Sequence, residues 1–232
     1  MANRAYISAW AKDYSEATKL ERLGRFLETA PLAASWPGFT ELGVRAVDPA
    51  ETPIVEWDMR SRPVTAAEVI DLLREQEGAD MAYEIGAKWD LWVFDLEAGR
   101  WQRAAQPLRI DCYGEDYDVG VAADDGHFLV DIGFEHLFTG HAGLLGTRAK
   151  EDALENAVAH SAGLAPEEAQ FLRAMAAPDR MREYQERTRE NIQIMFRWLR
   201  EAETQVPLER YRLWSEGEEN FEARLDEILA VR

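Results

Sequence analysis

The sequence predicts an α+β fold: a mainly antiparallel sheet with a ferredoxin-like βαββαβ N-terminal arrangement, extended by further strands and followed by a C-terminal helical segment. Three observations carry this expectation. As far as Ile132, short alternating runs rich in β-branched and aromatic residues are separated by turn-forming residues. Two segments within that region repeat their apolar residues at helical spacing instead. From Pro166 onward the alternation gives way to long amphipathic stretches.

Arg4 to Trp10 carries Tyr6, Ile7 and Trp10 and reads as a first strand. Ser15 is placed to cap the next segment, where Leu20, Leu23, Phe26 and Leu27 share a helical face before Pro31. Phe39 to Val47 and Ile54 to Met59 form an extended pair joined by a loop containing Asp48 and Pro49. Thr65 and Glu68 have the spacing of a capping box, in which the two side chains satisfy free amides at a helix start. Val69, Leu72 and Leu73 give that helix its buried face, and Gly78 stops it. Met81 to Ile85 and Trp89 to Phe94 follow as strands, the second apolar on both faces as in the centre of a sheet. Gly99 marks a turn, after which Trp101, Leu108, Ile110 and Cys112 continue the β pattern. Tyr117, Val119, Val121 and Ala123 alternate before Asp125-Gly126, and Phe128, Val130 and Ile132 alternate after it, the pattern of a hairpin. Helices are expected from Pro166, from Pro178 to about Glu203, and around Phe221, Leu225, Ile228 and Leu229. The division expected is a sheet domain over 1–147 and a helical extension over 148–232 packed on it as one compact unit.

Composition bounds the function. There are 44 acidic against 26 basic residues, a net charge of −18 and a pI near 4.6, a field that repels phosphate backbones and argues against a nucleic-acid partner. Apolar runs such as Trp89 to Phe94 are far shorter than the roughly 20 residues that span a bilayer, so no membrane insertion is expected. The one cysteine, Cys112, permits neither an internal disulfide nor a thiolate cluster, and no secretory leader is visible in Met1 to Lys12. A cytoplasmic location follows as the expectation. No motif calls for a cofactor: Gly140, Gly143 and Gly146 lack the following Gly-Lys-Ser or Gly-Lys-Thr of a phosphate loop, and no nucleophile elbow or calcium loop is present.

Two constellations remain. Between Ile110 and Thr147 there is no lysine or arginine, while Asp111, Glu115, Asp116, Asp118, Asp124 and Asp125 fall in that stretch. Gathered on one rim, they would steer a basic protein partner toward the sheet. The leading expectation is therefore a non-enzymatic, acidic interaction module, in concrete form a bacterial toxin-immunity or inhibitor protein. The alternative is a small-molecule or metal-dependent enzyme with its site near His127, His136 and His141, where His127, Asp131, His136 and His141 would supply imidazole and carboxylate ligands.

Overall fold

Alternation in β1 (Arg4–Ala11) turns Ala5, Ile7, Ala9 and Ala11 to one side, where all four are buried, and Arg4, Tyr6, Ser8 and Trp10 to the other. That division runs through the whole sheet. The computed structural model describes residues 3–141, 144–145, 166–175 and 177–230. Its strands are β1, β2 (Glu41–Ala46), β3 (Val55–Asp58), β4 (Met81–Asp95), β5 (Arg100–Tyr113), β6 (Phe128–Phe134) and β7 (Leu208–Ser215). They form one sheet in the order β3-β2-β4-β5-β6-β1-β7, with every neighbouring pair antiparallel. No described helix is long and apolar enough to cross a membrane.

The α+β class with an antiparallel sheet and a C-terminal helix is thus observed. The ferredoxin-like order is not confirmed. The elements do run strand, helix, strand, strand, helix, strand through β4, but β1 pairs with β6 and β7 instead of lying among β2 to β4. Long-range pairing decided this, and local pattern carries no information about it.

The helices lie on the face carrying Ile7, Val130, Ile110 and Trp89. These are α1 (Glu16–Glu28), α2 (Ala66–Leu73), α3 (Val121–Asp125), α4 (His136–Thr139), α5 (Pro166–Met175), α6 (Pro178–Gln205) and α7 (Phe221–Ala230), with the short α3 set apart at the turn between β5 and β6. Ser15 begins α1, where its amide donates to the Thr18 hydroxyl. Thr65 and Glu68 make the reciprocal bonds of the expected capping box at the start of α2. Phe26 of α1 stacks on Phe128 of β6 at 4.8 Å, and Trp198 of α6 packs against both Phe26 and Trp89. Its indole N–H donates to the Thr29 hydroxyl, satisfying a polar atom that the core would otherwise strand.

The opposite face is a lattice of charge. One row crosses all seven strands as Asp58, Glu41, Gly86, Arg109, Asp131, Tyr6 and Trp214. A Cβ at Gly86 would collide with the Glu41 side chain, which would have to move aside. Arg109 bonds both Asp111 (2.7 Å) and Glu84 (3.0 Å), Arg45 also pairs with Glu84, and Arg4 pairs with Asp131.

Three local expectations are corrected. Tyr117 to Ala123 is not a strand: 117–120 is a 3-10 turn that runs into α3. Asp118 and Gly120 take positive φ there (42° and 111°), which breaks extended geometry, and β6 pairs with β5 and β1. Trp89 to Phe94 is not central, because β2 covers only Met81–Gly86 of β4 and the outer half projects as a long hairpin with β5. On its other side Phe94 meets Phe171 of α5 and Trp92 meets Arg187 of α6. Finally, β continues into the last third of the chain as β7. Its arginines obscured the alternation, yet the Arg210 guanidinium lies over the Trp10 ring, 4.0 Å from its centroid.

Candidate functional site

The projecting β4–β5 hairpin creates a problem that α6 solves. Beyond Gly86 the outer edge of β4 has lost its neighbouring strand, leaving the peptide groups of Trp92 in need of partners. Asn191 of α6 supplies them: its Oδ1 accepts from Trp92 N–H (2.8 Å), and its Nδ2 donates to Trp92 C=O and to Leu137 C=O (both 3.0 Å). Tyr184, Thr188, Asn191 and Met195 follow one another at helical spacing on the buried stripe of α6. Three polar residues in an otherwise apolar stripe mark the place where this helix does more than pack.

Above that contact the hairpin, the end of β6, α4, α5 and α6 line a half-open cavity of about 570 Å³. Its walls are largely aromatic: Trp92, Phe94 and Trp101 from the hairpin, Phe134 from β6, Phe171 from α5 and Tyr184 from α6. Trp101 stacks on Tyr184 at 5.3 Å, and Phe171 meets Phe94 and Tyr184 edge-on. His136 and His141 complete the lining with ring centroids 4.2 Å apart. Tyr184 accepts from the His141 amide at 2.7 Å and lies 2.9 Å from His141 Nδ1. The arrangement that satisfies the buried hydroxyl has the Tyr184 O–H donating to Nδ1, which leaves the imidazole proton on Nε2.

Burial pushes both imidazoles down, His136 to about 4 and His141 to about 3, the latter also through the neighbouring His136 ring. Both are neutral near pH 7. The unfolded chain takes up these protons near pH 6.5 and the folded protein does not, so stability falls as pH drops below about 6.5. His136→Phe keeps a stacking ring on Phe134 and removes one titrating group. Its unfolding free energy should therefore fall less between pH 7 and 5 than that of the native protein, by about 2 kcal/mol. Parallel pH profiles from urea unfolding would refute the assignment.

The residues singled out in the sequence are only partly brought together. His136 and His141 meet. His127 does not join them: it precedes β6 while His136 follows it, about 20 Å along the strand, and its Nδ1 accepts from Ala11 N–H while its ring stacks on Tyr14. Asp131 faces the charged side of the sheet, bonded to Arg4 and to the Gly133 amide. Among the described residues no group of three or more His, Cys, Asp or Glu is placed to hold a metal ion. Gly143 and Gly146 lie outside the described residues.

Of the acidic group, Glu115, Asp116, Asp118 and Asp124 are exposed at the turn between β5 and β6, and Asp125 is half-buried beside them. Asp111 is apart from these. It is 6% exposed on the charged sheet face and bonded to Arg109. Burial raises its carboxyl to about 6 despite that contact, with the nearby Glu84 and Asp131 charges adding to the rise. Cys112 is buried and its thiol is held protonated by burial, with pKa raised to about 12.

Sequence reasoning missed the convergence of Phe171, Tyr184 and Trp101. The readable signal was Thr188 and Asn191 within the apolar stripe of α6; nothing in the sequence showed which strand they meet. Searches against family models, curated proteins and solved structures find no match to this chain.

Proposed function

We propose that the chain is a binding protein for a small organic ligand, with the cavity between the β4–β5 hairpin and α4 to α6 as its site. The observation that supports this is the cavity itself: about 570 Å³, aromatic-walled, with two neutral imidazoles converging in it. Concave, mostly apolar pockets with a few placed polar groups are where small ligands bind. It keeps His136 and His141 from the sequence-derived site and leaves His127 out. The test is native mass spectrometry of protein purified gently from its source cells, followed by thermal-shift measurements against a metabolite library. A retained small molecule, or a library member that raises the melting temperature of the native protein and not of a Tyr184→Trp variant, is the expected result. Protein that carries nothing and is stabilised by nothing would overturn the reading.

A second reading keeps the acidic turn as a contact for a basic protein, as an immunity or inhibitor protein would use it. It is favoured by Val47, 57% exposed, which lies beside Asp118 of that turn. Val47 has φ 72°, unusual for a β-branched residue, and its carbonyl accepts from the Asp118 amide at 2.7 Å. Under this reading a captured partner binds more tightly at low salt, and a complex indifferent to salt counts against it.

A further inference from the structure

We infer that the ligand of this cavity is an organic cation: an ammonium or guanidinium group carried on an apolar or ring-bearing body. This rests on the proposed binding site and adds the charge class of its occupant. Among the described residues that line the cavity there is no lysine or arginine, while Glu135, Glu167 and Glu168 are all present. The two histidines are half-buried and neutral near pH 7, so they add no positive charge. The arginines nearest the wall, Arg187 against Trp92 and Arg4 against Phe134, are paired with Glu190 and Asp131, so phosphates and carboxylates meet lining carboxylates and no lining cation among the described residues.

The walls suit a cation in a second way. Aromatic faces carry negative quadrupole potential and attract cations, most strongly where water is partly excluded. The fold already uses two of the lining rings like this: the Arg187 guanidinium lies 4.0 Å from the Trp92 centroid, and that of Arg4 lies 5.3 Å from Phe134. Among the described residues no arginine or lysine of the chain is placed over Phe94 or Trp101, which stand edge-on to one another at 5.4 Å. Glu167 and Glu168, in the first turn of α5, are on hand to balance a charge held against those rings. Glu135 is fixed by accepting the Gly217 amide through Oε2.

The test is calorimetric titration of the whole protein with three probes of similar shape: benzyltrimethylammonium, its uncharged carbon isostere neopentylbenzene, and phenylacetate. Benzyltrimethylammonium should bind about tenfold more tightly than the isostere, weaken with added salt, and exceed phenylacetate. Changing the two lining glutamates of α5 together, Glu167→Gln with Glu168→Gln, should lower cation affinity about fivefold and leave the isostere unchanged. An isostere that binds as well as the cation overturns the charge assignment and leaves the cavity a ligand site. A tighter anion, or a cation that gives no heat at millimolar concentration, also overturns the assignment. The metabolite screen decides separately whether the cavity binds anything.

Discussion

Glu16→Ala should destabilise the protein by about 3 kcal/mol, and by more than Lys19→Met does. Lys19 is fully buried beneath α1, with its ammonium 2.6 Å from the Gly78 carbonyl, 2.9 Å from Glu16 and 4.7 Å from the centre of the Tyr83 ring. Deleting the carboxylate leaves a charge in the interior with a single carbonyl and a ring for company. It also strips the Gly78 amide of its acceptor, Glu16 Oε1. Replacing the lysine by methionine removes the charge and keeps most of the volume, so the loss is smaller. Because the Glu16 side chain is 32% exposed, water offsets part of the penalty and the effect falls at the low end for a broken buried pair. Urea midpoints for the two single variants and the double variant form a cycle. The double variant should be more stable than Glu16→Ala alone. Equal costs for the two single changes would show that the pair is solvated and the argument wrong.

Asn191→Ala is expected to cost about 3–5 kcal/mol, as three backbone groups at roughly 1–3 kcal/mol each lose their partners and are only partly resolvated. The asparagine is 1% exposed and bridges the free edge of β4 to the end of α4. Asn191→Asp distinguishes hydrogen bonding from shape. It keeps the acceptor for Trp92 N–H but faces two carbonyls with oxygen, so it should be as damaging as alanine despite its near-identical outline. Chemical unfolding measures both. Hydrogen exchange at Trp92 should rise in either variant, and unchanged protection there would mean that water takes over the role of Asn191.

What could be read from the sequence divides by the distance over which each interaction acts. The capping box of Thr65 and Glu68, the β2–β3 pair and the amphipathic helices depend on residues a few positions apart, and all appear in the structure. The turn after β5 misled because Tyr117, Val119, Val121 and Ala123 alternate like a strand, whereas the positive φ of Asp118 and Gly120 leaves no mark on such a pattern. In β7 the pattern was hidden by arginines whose stems pack as apolar groups. His136 and His141 were visible as neighbours in sequence. Their aromatic surroundings were not, since Phe171 and Tyr184 arrive from helices on the far side of a long connection.

The placing of β1 governs how the molecule is made. Both of its hydrogen-bonding edges are filled by strands translated much later, β6 at 128–134 and β7 at 208–215. As the chain emerges, β2, β3, β4 and β5 can pair in turn with near neighbours, while the Ile7 strand waits with two open edges. The loops that must close to seat it are among the longest in the fold, which makes its docking slow relative to the hairpins. An apolar strand in that condition is what chaperones bind and what aggregates recruit. Pulse-labelled hydrogen exchange during refolding should accordingly find the β4–β5 amides protected first and those of β1 last.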